Sequence, residues 1–431
     1  MSEDQQTTVR IINGRRLTAR GEASGTESLL IENGRIAAIG EAADGRSAGK
    51  VLDARGCWVA PGFIDLCCYL REPGNGQKGN IASETLAAAK GGYATVCASP
   101  ASSPVNDSTA VTHLIRDTAD ARGAIRVLPL GAATRGLEGD RLSDMAGLSA
   151  AGCVAFSNGG AVFRNARILR RCMAYAQTFG YTLMLQPRNE ALSADGFAHD
   201  GLVAARLGLL GIPEVAETAA VMEMLLLAEE AGVRLHLSQL STARSVDMVA
   251  EAQRRGVAVT ADVAMHHLVL TEHALSGFDS RFHVLPPLRT ESDRQRLLAG
   301  VREGVIGSIT SQHQPQDPAA KRAPLGETGP GLSAVESVLS LGLMLVEREE
   351  LSLPQLVGAL TRGPSAVLDR PGCDLNEGDD ADLCIFDPRA SWVANADTIL
   401  SMGKHVPVMD APLPGVVRYT LSAGRIAWSA E

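Results

Sequence analysis

The stretch Val233–Ala264, VRLHLSQLSTARSVDMVAEAQRRGVAVTADVA, decides the fold. It opens on an apolar run, VRLHLSQL, passes through an amphipathic segment, ARSVDMVAEAQRRG, and returns to a second apolar run, VAVTADVA. In the middle segment Val246, Val249 and Ala250 recur three and four residues apart, the helical period, and Gly256 supplies a C-terminal stop. A strand, a crossover helix and a second strand make one parallel β-α-β unit. Working outward, the same alternation continues in both directions. TVCAS, RVLPLG, GCVAF, TLMLQ and VIGSITS read as further strands, and PEVAETAAVMEMLLLAEEAG reads as a helix entered at Pro213 and closed at Gly232. Seven or eight such units between Trp58 and Ala366 predict an α/β fold closed into a (β/α)8 TIM barrel. A doubly wound open sheet is the alternative. Against it, no GxGxxG follows a strand, the nearest glycine-rich turn being Ser157-Asn158-Gly159-Gly160, and no P-loop is present.

Both ends of the chain switch to β patterning. VRIINGRRL and SLLIENGRIAAIG lie near the start, with Asn33-Gly34 as a two-residue hairpin signal; DADLCIFD and VVRYTLSAGRIAW lie near the end, the latter turning at Ser422-Ala423-Gly424. The expected division is therefore a barrel over 58–366 and one small β-sandwich domain built from 1–57 together with 367–431.

At 431 residues and 45% hydrophobic the chain can bury a large core. Its net charge of −9 argues against nucleic acid or an anionic membrane as partner. MSEDQQTTVR has no apolar segment of the secretory kind, and the run around Met222–Ala228 is interrupted by Glu223, so the expected setting is the cytoplasm. The eight cysteines fit no zinc ribbon and no CxxC, and most are expected to be small buried hydrophobes; the exceptions by position are Cys67 and Cys68.

Barrel chemistry sits at the C-terminal ends of the strands. There the sequence places Cys67-Cys68-Tyr69-Leu70-Arg71 after PGFIDL, Asn158-Gly159-Gly160 after GCVAF, Gln186 after TLML, Gln239 after RLHLS, His266-His267 after ADVAM and Gln312-His313 after GSITS. PGFID, LREPG, GGYATV, LSQLSTARSV, VTADVAMHHL, PPLR and EGDDADLCIFD, in this order, resemble bacterial dihydroorotases of the amidohydrolase superfamily. The resemblance implies an amidohydrolase-type barrel. It also implies that the metal and catalytic positions of active members fall on Cys67, Tyr69, Asn158, Gln186, Gln239 and Gln312. The substrate loop falls on Ser99-Pro100-Ala101-Ser102, and the Asn of an Asn-Pro-Pro-Leu motif on Leu285.

Zinc takes imidazole, thiolate or carboxylate, and a side-chain amide is a poor ligand for it. An amide oxygen is no general base either, so Gln312 cannot replace a catalytic Asp. The expectation is a barrel with no cofactor and no hydrolytic activity of its own. Arg71, which in relatives would pair with a substrate carboxylate, is a candidate ligand-binding remnant; the alternative, and the favoured one, is a salt bridge with a nearby acid. His236 is expected in a hydrogen-bonded core role, and His113, His199, His273, His283 and His405 at surface or helix positions.

Within the family the resemblance is to the dihydroorotase-like subunit found with some bacterial aspartate transcarbamoylases. It implies an assembly role with the transcarbamoylase catalytic chain in a dodecameric hetero-oligomer, with self-association as a dimer. The alternatives are an active amidohydrolase rebuilt around Cys67 and Cys68, and a homotetrameric cytoskeletal or signalling role. The segment 314–331 matches the mobile lid of relatives.

Overall fold

The computed structural model describes residues 8–372 and 374–430. Cys373 and the acidic start MSEDQQT lie outside the described residues. Eight parallel strands stand side by side in chain order: Phe63–Cys68, Tyr93–Ala98, Arg126–Ala132, Ala155–Ser157, Leu183–Leu185, Leu235–Leu237, Val259–Ala264 and Ser308–Thr310. The first and last approach each other through a parallel bridge between Cys68 and His313, which makes the sheet a nearly closed barrel rather than an open doubly wound sheet. Across that seam the buried Asp65 accepts hydrogen bonds from Thr310 Oγ1 (2.6 Å), from Ser311 N (3.0 Å) and from the Ser311 hydroxyl.

The helices form where the spacing and end signals predict them. Ala243–Arg254 begins at Thr242, whose side chain accepts from Ser245 N, and Val215–Ala231 ends at Gly232 with φ 66°, a left-handed cap that glycine adopts without penalty. The LSQLSTARSV motif has a structural reason. Glu217, buried in the helix before it, accepts from the backbone N–H and hydroxyl of both Ser241 and Thr242. Arg289 of the PPLR motif donates to Ser241 Oγ (3.2 Å) and to the Ile212 carbonyl (2.7 Å), tying two loops to one helix start.

The two chain ends share one sheet, in spatial order Arg425–Ser429, Pro412–Ser422, Leu383–Val393, Trp58–Pro61, Val9–Thr18, Gly21–Glu32 and Arg35–Ile39, with Lys50–Asp53 also paired to Val9–Thr18. Both predicted hairpins turn where expected: Asn33 and Gly34 have φ 52° and 74°, and Ala423 and Gly424 have φ 50° and 76°. This sheet encloses its own core, among it Ile11, Leu29, Ile31, Leu383, Ile385 and Leu421, so it is the small sandwich the ends predict. Among the described residues no helix is long and apolar enough to cross a membrane.

Candidate functional site

The barrel positions six side chains at its mouth by one rule: each stands within two residues of the C-terminal end of a strand. Five of the six line one cavity, Cys67, Tyr69, Asn158, Gln186 and Gln239, and its volume is about 20 Å³, room for about one water. Gln312 joins them indirectly. Its Nε2 donates to the Leu285 carbonyl at 2.7 Å, and Gln186 Nε2 reaches the same carbonyl at 3.5 Å.

The amides hold one another. Gln186 Nε2 donates to Gln239 Oε1 at 3.1 Å, Gln186 N donates to Asn158 Oδ1 at 3.1 Å, and Asn158 Nδ2 donates to the Gln186 carbonyl at 3.3 Å and to that of Ala161. Gln239, Gln312 and Arg71 adopt left-handed backbone, φ 53°, 48° and 62°. For residues with a Cβ this costs of the order of 1 kcal/mol each, and it aims strand-end side chains into the mouth.

The remaining polar atoms of the mouth are protonated or neutral. Burial pushes the Cys67 thiol well above its ordinary value, and the nearby Asp65 and Asp262 push it the same way. Cys68 is raised by burial and then by Asp65, and Tyr69 by burial, although Arg71 opposes the latter. Successive strand residues point to opposite faces. Accordingly Cys67 lines the cavity, whereas Cys68 is packed in the main hydrophobic core, so the two thiols do not converge. Two thiols on opposite faces of a strand do not meet at one metal site.

Arg71 departs from expectation. It has no acid within ion-pairing distance among the described residues. Its Nε donates to the Pro315 carbonyl at 3.0 Å, its guanidinium lies 5.3 Å from the centre of the Tyr69 ring, and its Nη2 is buried without a hydrogen-bond partner. Glu84, whose charge acts on Arg71 without an ion pair, is engaged elsewhere: it meets His313 Nε2 at 2.8 Å, both fully buried. Burial alone would raise Glu84, but the hydrogen bond and charge of His313 prevail and hold its carboxyl below the ordinary value.

The histidines sort by burial. His236 has the predicted core role, with Nδ1 2.9 Å from Thr260 Oγ1 and Nε2 2.8 Å from Asp262 Oδ2. His267 Nε2 donates to the carbonyls of Pro286 and Pro287, and burial lowers its pKa to about 4. His266 is buried beside it; its ring nitrogens make no hydrogen bond of ordinary geometry, and Gln312 is the polar side chain that acts on it. His283, expected at the surface, is instead buried against Thr328 Oγ1 at 2.8 Å. His199 is half-buried, 3.0 Å from Arg289 Nη1, whereas His113 and His273 are exposed as expected. The segment 314–331 is packed rather than loose: Lys321 is buried and donates to the carbonyls of Ser280 (3.0 Å) and His283 (3.3 Å).

Sequence reasoning found the six strand-end positions but missed the Leu285 carbonyl that links Gln186 to Gln312, because a backbone group leaves no mark in side-chain identity. It also missed Glu84 as the partner of His313. Among the described residues no three His, Cys, Asp or Glu side chains converge as a metal site would need. The site's chemistry is that of a neutral hydrogen-bonded cluster, and its donor set does not fit zinc.

A family model described as dihydro-orotase-like matches residues 56–245. The chain is 46% identical to a dihydroorotase-like protein of Pseudomonas aeruginosa over 97% of this chain and 99% of that one. It is 45% identical to a dihydroorotase-like protein of Pseudomonas putida, covering 98% of this chain and all of the other. Among solved structures, an L-hydantoinase (dihydropyrimidinase) from Arthrobacter aurescens superposes with a TM-score of 0.88 at 23% identity, over 97% of this chain and 96% of that one, which shows a shared fold.

Proposed function

The chain belongs to the dihydroorotase-like family, and on that premise we propose that it is a non-catalytic member, acting as a structural and assembly subunit of aspartate transcarbamoylase in de novo pyrimidine biosynthesis in the cytoplasm. One observation carries the first half of this reading. Asn158, Gln186 and Gln239 bond to one another across the barrel mouth, and about 20 Å³ is left between them. Hydrolysis of a cyclic amide in this family calls for a metal to polarise the carbonyl and acidify a water, and for a carboxylate to take its proton. The chain offers the amides Asn158, Gln186 and Gln239 at three ligand positions and Gln312 at the base position, none of which carries charge or basicity near neutral pH. The others hold Cys67 and Tyr69, where one thiol does not make a metal site. The second half, the partner, rests on the resemblance of the framework motifs.

Purified protein assayed for metal content and for interconversion of carbamoyl aspartate and dihydroorotate is expected to contain no stoichiometric zinc and to show no turnover. Affinity capture from native cytosol is expected to bring down aspartate transcarbamoylase in a large particle. One or two tightly held zinc ions with measurable turnover would overturn the non-catalytic reading; a capture lacking transcarbamoylase would overturn the partner.

A further inference from the structure

A lysine clasps the strap 314–331 onto the turn 279–283. Lys321 is the one buried lysine among the described residues. Its Nζ donates to the carbonyls of Ser280 (3.0 Å) and His283 (3.3 Å), and the Ser280 hydroxyl returns a bond to the Lys321 carbonyl at 2.7 Å. Gly331 N donates to the same His283 carbonyl (2.9 Å), and Gly329 N closes the strap on itself at the Ala320 carbonyl (2.8 Å). At its start the strap reaches the barrel mouth, where the Pro315 carbonyl holds Arg71 Nε. Both acceptors that Lys321 meets are neutral carbonyls, and no carboxylate lies within ion-pairing distance of it among the described residues. The one acid whose charge reaches it, Asp279, is engaged by both prongs of the Arg281 guanidinium.

A buried ammonium ion without a counter-ion is costly, whereas a neutral amine can donate to the same two carbonyls. Burial accordingly pushes the Lys321 amine down to about 8, although Asp279 opposes it. The other groups nearby do not supply the missing anion. His283 on the turn and the half-buried His405 both feel Lys321 as a like charge, and Arg281 acts on His405 in the same way. Asp317, on the strap, is turned to its own backbone, accepting from Ala319 N and Ala320 N, and the charge of Lys78 acts on it. Arg322 and Glu327, also on the strap, are exposed. We propose that the strap is a proton-operated latch: with Lys321 as a neutral amine it stays shut on the turn 279–283, and with Lys321 as an ammonium ion it opens more readily. In the open strap the amine regains its ordinary value of 10.5, above the closed one, so opening takes up a proton. The opening constant therefore falls about twentyfold as the pH rises from about 7 to about 9.5. Opening also frees Arg71, at the barrel mouth, of its Pro315 partner.

Hydrogen exchange of the full chain, followed in peptides from 314–331 between about pH 7 and about pH 9.5, tests the latch. Protection of the strap, corrected for base catalysis of the free amide, is expected to rise about twentyfold over that range. It is expected to stay below the protection of the helix Ala243–Arg254 throughout, as it must if the strap opens on its own. Lys321→Met carries no charge at any of these pH values and Lys321→Arg is charged at all of them. Both are expected to give a strap whose protection is level with pH, and either alone suffices where the other folds poorly. Lys78→Met removes the other amine whose charge acts on the strap, and is expected to keep the wild-type slope. Wild-type protection that is level with pH would overturn the proposal. So would a slope that survives in the Lys321 variants, or one that is lost in Lys78→Met. Strap protection equal to that of the helix would mean that the segment opens only with the whole barrel, and would overturn the latch as a separate device.

Discussion

The seam of the barrel and its mouth are both buried and both polar, yet they are built in opposite ways. At the seam and just around it the chain keeps charge-bearing groups: Asp65 with its Thr310 and Ser311 donors, Asp262 with His236 and the Gln239 N–H, and Glu84 with His313. At the mouth it keeps amides, a thiol and a phenol held neutral by burial, and one glutamine oxygen, Gln312 Oε1, with no partner. The difference follows from what each set faces. A buried carboxylate is tolerable when several donors surround it, and costly when they do not. The seam supplies donors from the protein itself. A ring of carboxylates and imidazoles at the mouth would lean on a bound cation for the same balance, whereas the amides Asn158, Gln186 and Gln239 bond to one another.

Removing a seam acid should break the comparison most strongly. Asp65→Ala strands the Thr310 and Ser311 donors in the core between the first and last strands. The expected loss is about 4 kcal/mol of stability, read as a large fall in melting temperature or as insoluble expression. An Asp65→Ala protein that melts like wild type would mean that the seam is held by backbone bridging alone.

Acid should separate the regions next. His267, beside the mouth, has a folded pKa of about 4 against an ordinary value near 6.5. Its depressed value means the unfolded chain takes up the proton first. The stability conferred by a neutral buried His267 is fully present above about pH 6.5 and drains away as the pH falls towards about 4, by at most about 3 kcal/mol. His267→Gln should therefore reduce the fall of the melting temperature between those pH values, leaving the shares due to His266, lowered further by burial, to His283, lowered to about 4, and to His199 and His405, lowered in the same direction. Glu84, whose value is lowered, acts further down: its contribution is lost only as the pH drops through values below about 4.3. If His267→Gln reproduces the wild-type acid limb, the histidine does not stay neutral in the fold.

The barrel was legible because its signals are local. Helical spacing and Gly256 frame one crossover, Asn33-Gly34 and Ser422-Ala423-Gly424 turn two hairpins, and the seven apolar runs with PGFIDL fall on the eight strands. The six mouth positions were legible too, since strand ends can be counted and a resemblance assigns them. What stayed hidden depends on contacts between distant residues. His313 meets Glu84 across the whole barrel sequence, and Arg71, its side chain beside Tyr69, ends with a carbonyl instead of an acid. His283 looked like a loop residue until Thr328 of the returning segment covered it. Trp58–Pro61, an apolar run like any barrel strand, pairs with Leu383–Val393 in the terminal sheet, because pattern alone does not say which sheet a strand joins.

The finest distinction between seam and mouth is energetic. If the mouth is a self-satisfied neutral cluster, its internal bonds carry the modest net value of amide hydrogen bonds, not the several kcal/mol of a broken buried ion pair. Gln186 and Gln239 test this directly, being joined by a single side-chain bond of 3.1 Å. Replacing either by Ala should cost about 1–2 kcal/mol, and the double-mutant cycle should return a coupling of about 0.5–1 kcal/mol. A coupling of several kcal/mol would mean that charge is shared across the mouth after all. A coupling near zero would mean that Gln186 is held by Asn158 and Leu285 alone, whose bonds to it survive in the Gln239→Ala variant.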